Sequence, residues 1–325
     1  MNRTASADLL RVALDVAERG WSVIPLRPND KRPAFPNHNS DTCTGRDPRC
    51  RAAGTHIGWE PRATLDTERI RRAWALAPYN VGIVTGPSGL VAVDLDMPKA
   101  GQTTPPEWNM PGVNDGGDVL AVLCEQAGRS WPGDTYTVTT GRGGSHLYYR
   151  HPEGGPPLRN TTGGTPGALG WLIDTRAHGG YVVASGSIVA GRPYTVAYDT
   201  DPAPLPGWLA ERLTPKPLPP QQPVSVQLGT GRRAAYLDTA IRRSLDAIGA
   251  APDGALNRTL YGASVALGQL VAGGALDADD TEALLLDAAT RARHPAGPAR
   301  RTIRSGFRAA TSRPRALTAT TGATP

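Results

Sequence analysis

The segment Pro215-Lys-Pro-Leu-Pro-Pro-Gln-Gln-Pro223 sets the organisation of the chain. Its five prolines cannot continue a helix or a central strand, so residues 215–230 read as an extended linker. Upstream, short apolar runs alternate with turn residues in the period-2 manner of strands, with a few amphipathic helices between them. Downstream the pattern is helical, broken at Gly249–Gly254, Gly273–Asp277 and Pro295–Pro298. The chain therefore predicts an α+β unit over 1–214 and about four helices over 231–311. A Thr-, Ala- and Pro-rich tail, 312–325, is expected to lack structure.

Within the first unit, Ser6 reads as the N-cap of a helix to Arg19, stopped by Gly20. A strand over Trp21–Leu26 and a long polar stretch, Arg27–Pro61, follow. After a short helix, Thr67–Ala77, the runs Asn80–Thr85 and Leu90–Asp96 read as buried strands around a Gly-Pro-Ser-Gly turn. Asp118–Ala127 is helical, and Thr135–Thr140 with Ser145–Arg150 form a hairpin around Gly-Arg-Gly-Gly. Another strand ends at Asp174, and Tyr181–Ser185 follows a Gly pair.

No apolar run reaches the roughly 20 residues needed to span a bilayer, so no membrane partner is expected. Met1–Asp8 lacks a signal-peptide pattern, and three cysteines cannot build a disulfide framework; both fit a cytoplasmic protein. The net charge of +6 is unevenly placed. Residues 225–325 hold 13 Arg against 8 acids, and the first 224 hold 22 basic residues against 21 acids. The C-terminal excess suits contact with phosphates, though Arg-rich helices are also simply soluble.

Asp94 and Asp96 lie two apart at the end of an apolar strand, so alternation puts both carboxylates on one face. Like charges there are unfavourable unless a cation neutralises them, and hard oxygen ligands suit Mg²⁺ or Mn²⁺. An isolated Asp-x-Asp is commonly just a pair of surface acids. Asp174, on a second apolar strand of the same unit, changes that balance, because three carboxylates can hold two cations. Between them, Gly141-Arg142-Gly-Gly-Ser145-His146 offers backbone N–H groups and side-chain donors to an anion such as a triphosphate. It is not a P-loop, since Gly-Lys-Ser/Thr is missing and no helix follows.

Together, Asp94-Leu-Asp96, Gly143-Gly-Ser-His146-Leu-Tyr-Tyr149 and Ile173-Asp174 leading into Gly179-Gly-Tyr-Val-Val-Ala-Ser-Gly-Ser187 resemble the three-motif signature of the primase-polymerase (Prim-Pol) domain. This family belongs to the archaeo-eukaryotic primase superfamily and includes replication proteins of plasmids, phages and integrated elements. The opening is similar too, through Gly-Trp-Ser-Val-Ile-Pro-Leu, Lys31-Arg-Pro, Trp59 and Asn80-Val-Gly-Ile-Val-Thr-Gly86; the resemblance covers roughly 8–215. It implies an RRM-like sheet packed with an α/β unit, and template-directed synthesis and extension of a DNA primer from dNTPs or NTPs. By the same resemblance Asp94, Asp96 and Asp174 are the metal ligands, and His146 with Ser145 binds the nucleotide phosphates. Arg176 and His178 face nucleotide or template. No helicase signature is present, so a separate helicase partner is expected.

The polar stretch holds His38, Cys43, Cys50 and His56 within a loop at 37–58, spaced unlike a C₂H₂ finger or a Cys-x2-Cys knuckle. Two Cys and two His suit tetrahedral Zn²⁺, and an ion would give a coreless loop a reason for order. Cys124, on an apolar helix face, reads as core. The helical region resembles the small domain that often follows primase catalytic domains, with Asn257, Arg258, Arg300, Arg301 and Arg304 as candidate DNA contacts. Two other functions fit parts of the pattern: a metal-dependent nuclease, and a non-catalytic DNA-binding initiator.

Overall fold

The computed structural model describes residues 3–40, 42–154, 157–165, 167–214, 224–228, 232–252 and 255–319. The expected linker core at 215–223 and the end of the tail lie outside these residues. The chain divides into two units, Met1–Asn39 with Cys43–Lys216, and Ser40–Thr42 with Pro217–Pro325.

The first unit opens with α1 (Arg3–Glu18), β1 (Val23–Leu26), α2 (Pro48–Ala53) and α3 (Thr67–Trp74). Ser6 therefore lies inside α1 rather than capping it. Gly20, at φ 80°, does end the helix, in a conformation glycine adopts at no steric cost. Next come β2 (Asn80–Val84), β3 (Leu90–Leu95), α4 (Gly116–Gln126), β4 (Thr137–Thr139) and β5 (Ser145–Arg150). The unit closes with β6 (Ile173–Arg176), β7 (Tyr181–Val183), β8 (Ile188–Val189), β9 (Arg192–Pro193), β10 (Thr195–Tyr198), β11 (Ala203–Pro204) and α5 (Gly207–Leu213).

The main sheet runs β10-β4-β5-β3-β6, with β11 parallel to β5, and a small sheet runs β1-β2-β7. Pro25 is tolerated because β1 is the edge strand of its sheet; on the outer side Pro25 uses only its carbonyl, accepting from Ala34 N–H at 2.9 Å. Alternation along β3 sends Val91, Val93 and Leu95 to one core, with Leu147 and Ile173, against the buried face of α4. Ala92 faces the opposite way, into a second core with Tyr148, Trp21, Ile83 and Val182. A one-residue slip of β3 would place Asp94 among Leu123 and Ile173 and turn Val93 outward. Each such large apolar side chain contributes roughly 1.5–3 kcal/mol when buried, and an unpaired carboxylate in a core costs more. The register is therefore strongly fixed.

The second unit contains α6 (Arg232–Gly249), α7 (Leu256–Ala272), α8 (Ala278–Arg291) and α9 (Ala296–Ala310), packed around Leu260, Leu267, Leu285 and Ile303. Glycines let α7 and α9 approach closely: a Cβ on Gly306 would stand 2.5 Å from the Ser264 Cβ. To the expected helices this unit adds one short pair of strands. Val224–Leu228, within the expected linker, forms β12 and pairs in parallel with β13 (Arg315–Ala319), within the expected unstructured tail. Val224–Leu228 alternates apolar and polar residues, and pairing satisfies backbone groups that neither strand could satisfy alone.

Candidate active site

The centre of the main sheet brings three predicted residues into one row. On β3, Asp94 stands in register with His146 of β5 on one side and with Asp174 of β6 on the other. Residues directly opposite on neighbouring strands project from the same face, so the three side chains lie side by side. Asp96 follows just past the end of β3. Its N–H donates to Leu172 O at 2.8 Å and its carbonyl accepts from Gly116 N–H at 2.9 Å, which holds the extended path for one more step. Asp174 sits at the second position of β6 rather than at a strand end, because the chain enters β6 only after Leu172, at φ 58°.

The electrostatics of the four groups differ. His146 Nε2 lies 3.4 Å from Asp94 Oδ1. That contact lacks hydrogen-bond geometry: Asp94 Oδ1 and His146 Nδ1 are both buried without a hydrogen-bond partner. Burial pushes the Asp94 carboxyl up, but the His146 ring, Arg176 and Lys31 outweigh it and hold Asp94 below the usual carboxylate range. Asp96 goes the other way, pushed up to about 6 by burial and then by the charges of Asp94 and Asp174. Asp174 is fully partnered, accepting from Gly163 N–H at 2.8 Å and from Arg176 Nη2 at 2.6 Å.

These residues line a cleft of ≈ 530 Å³ whose other walls are basic and aromatic. Lys31, Arg32, Lys99 and Arg142 bring positive charge to it. Arg142 rides on the β4–β5 turn, where Gly143 takes φ 90°. A Cβ on Gly144 would stand 2.3 Å from Leu95 O, so the turn lies directly against the end of β3. Lys31 is placed by Tyr181, whose hydroxyl donates to Lys31 O at 3.0 Å, and by buried Asn80, whose amide donates to Asp30 O at 3.0 Å. Trp59 meets Tyr181 edge to face, with ring centroids 4.9 Å apart, and both belong to the cleft wall.

A divalent cation fits this set. Three carboxylates converge on one face, one buried oxygen lacks a hydrogen-bond partner, and one carboxyl is held up by burial and its neighbours' charge. Hard oxygen donors of this kind select Mg²⁺ or Mn²⁺ over softer ions.

Not every expected residue reaches the cleft. Ser145 follows the opposite face of β5 from His146 and lines a separate hollow with Leu95 and Met97. His178 is exposed; it lies beyond the end of β6, close to Gly86, and is not part of the cleft wall. Arg176 does line the cleft, as an ion-pair partner of Asp174. Conversely, Lys31, Arg32, Lys99 and Tyr194 went unread as site residues. For the two lysines the signal lay in composition: the protein has only three, and two of them line this cleft.

Elsewhere, the ligand atoms of His38, Cys43, Cys50 and His56 all lie within 4.8 Å of one another, a group able to hold a metal ion. Cys124 is buried in the core against β3, as read. In the helical unit Arg258, Arg300, Arg301 and Arg304 are exposed, the last 3.5 Å from Glu282. Asn257 is already committed within the unit. Its Oδ1 accepts from Thr302 Oγ1 at 2.7 Å and lies 3.1 Å from His294 Nε2.

A family model described as bifunctional DNA primase/polymerase, N-terminal, matches residues 13–208. No curated protein matches the chain.

Proposed function

The chain, matched over more than half its length, belongs to the bifunctional DNA primase/polymerase family, and from that premise we propose that it joins nucleotides on a DNA template in this cleft. The family supports nucleotidyl transfer of the primase-polymerase type; the assignment of roles to residues is the present reading. The observation that carries it is the row His146–Asp94–Asp174 with Asp96 beside it, in a cleft ringed by cationic side chains.

Asp94, Asp96 and Asp174 would hold the divalent cations, which when bound supply charge neutralisation at the reacting phosphate. The remaining work is positioning. Lys31, Lys99 and Arg142 attract and orient a triphosphate, with His146 at the end of the row as a further donor. Arg176, 2.6 Å from Asp174 Oδ2, orients that carboxylate. The Trp59–Tyr181 pair offers an aromatic wall for the base or sugar of the incoming nucleotide. On this reading an attacking hydroxyl of the primer, or of a first nucleotide, meets the α-phosphate above the carboxylate row. The exposed arginines Arg258, Arg300, Arg301 and Arg304 are proposed to contact template phosphates, as part of replicating a plasmid, phage or integrated element.

The test is incubation of the purified chain with labelled dNTPs or NTPs, Mn²⁺ and a single-stranded template. New strands that require Asp94 are expected. Shortening of the template with no new strand would instead indicate a nuclease.

A further inference from the structure

We propose that His38, Cys43, Cys50 and His56 form a structural zinc site whose task is to fix the aromatic wall of the cleft. Their ligand atoms already form a near-closed cage. Cys50 Sγ lies 3.6 Å from His38 Nε2 and 4.0 Å from His56 Nδ1, and no pair among the four exceeds 4.8 Å. A tetrahedron with Zn–S about 2.3 Å and Zn–N about 2.0–2.1 Å has edges of about 3.3–3.8 Å, so the cage closes with movements of about 1 Å or less. Two thiolates and two neutral imidazoles also balance the charge of Zn²⁺, which suits a half-buried position.

The groups around the four residues are arranged for this use. His38 Nδ1 lies 3.3 Å from Asn37 Oδ1, an acceptor that puts the proton on Nδ1 and leaves the Nε2 lone pair facing Cys50. The Cys50 sulfur accepts from Ile57 N–H at 3.3 Å and from Arg62 Nη2 at 3.9 Å, contacts that hold it in place beside the two imidazoles. Asp47 caps the short helix that carries Cys50, and Arg62 pairs with Asp47 at 3.1 Å. Among the described residues of 35–58, Cys50 is the one buried side chain. A segment with so little core needs another source of order, and a metal clip supplies it.

The clip's position gives it a function. His56 precedes Trp59 by three residues, and Arg62 donates to the carbonyls of Ile57 and Gly58 at 3.1 Å each. The same short segment is thus anchored at the metal cage and at Arg62, with the Trp59 ring held against Tyr181 in the cleft wall between those anchors.

Metal content of the full chain, purified without chelator and without a histidine tag, is the decisive measurement. About one zinc per chain is expected, and cobalt added to zinc-stripped protein should give the visible bands and sulfur charge-transfer absorption of a tetrahedral site with two thiolates. Cys43→Ser, at the less buried cysteine, and His38→Ala should each lower zinc content at least tenfold. Protein that contains no zinc and develops no such cobalt spectrum would overturn the proposal, as would undiminished zinc in both variants. Zinc removal should also raise the KM for nucleotide by several-fold more than it lowers kcat. That arm rests on the primase-polymerase reading, whereas metal content and the cobalt spectrum do not: a chain that holds zinc but makes no primer would sink only the proposed function.

Discussion

Replacing Asp96 with Asn should stabilise the cation-free protein at neutral pH while destroying its use of Mg²⁺. In the folded chain burial, Asp94 and Asp174 raise the Asp96 carboxyl from 3.8 to about 6. A carboxyl raised on folding contributes stability that is fully present below its unfolded value and is lost as pH rises through about 6. The displacement corresponds to about 3 kcal/mol for a fully desolvated group. Asp96 is only partly buried, so solvent screening leaves roughly half, about 1–1.5 kcal/mol. Asn keeps the shape and removes the charge. In Mg²⁺- and Mn²⁺-free buffer Asp96→Asn should therefore melt about 2–5 °C above the unsubstituted protein at pH 8, and within about 1 °C of it at pH 4. Cations should reverse the order at pH 8, because only the carboxylate gains from them, and Mg²⁺ affinity of the unsubstituted protein should climb as pH rises through 6. Differential scanning fluorimetry across pH, with and without Mg²⁺, reads all of this. An Asn variant no more stable than its parent at pH 8, or equally stabilised at both pH values, would refute the electrostatic argument.

Asp94→Ala and Asp174→Ala should each lower primer synthesis by at least about 10³-fold, while binding of single-stranded DNA by fluorescence anisotropy changes less than about twofold. Lys99→Ala and Arg142→Ala should raise the KM for nucleotide roughly tenfold with kcat changed little, since each removes charge contacts to the bound phosphates; steady-state kinetics separates the two. Gly144→Ala should destabilise the first unit by more than about 2 kcal/mol in urea titrations, because its Cβ would stand 2.3 Å from Leu95 O with no flexible side chain to yield.

Much of the site was legible because its residues sit where strand period and turn chemistry leave few alternatives. Asp94, His146 and Asp174 each belong to a short apolar run flanked by glycine or polar residues, and β-pairing aligned them. Where placement differs from expectation, the causes are physical. Ser145 is adjacent in sequence to His146, and adjacency along a strand means opposite faces; period 2, applied consistently, would have excluded it. His178 would share the face of Asp174 and Arg176 only if β6 continued, but the strand ends at Arg176 and the chain turns at Gly179, at φ 85°. Lys31 and Lys99 come from loops, and the placement of Lys31 depends on the distant partners Tyr181 and Asn80. The β12–β13 pair escaped notice because each strand is short and lies in a segment of linker-like composition, and a parallel partner across four helices leaves no local turn signal.

The row across β5, β3 and β6 also bears on how the chain reaches its native state. Asp94 meets His146 and Asp174 only after two long stretches of chain have closed, and such closures belong to the later, slower part of assembly. Mutual repulsion among the acids is then absent while the nucleus forms and is felt only on the native side of the barrier. Asp96→Asn should accordingly slow unfolding at pH 8 in the absence of cations and leave the refolding limb of the chevron nearly unchanged; a faster refolding rate would place the acids together earlier. Evolution can crowd charge at such a position without making the protein slow to fold.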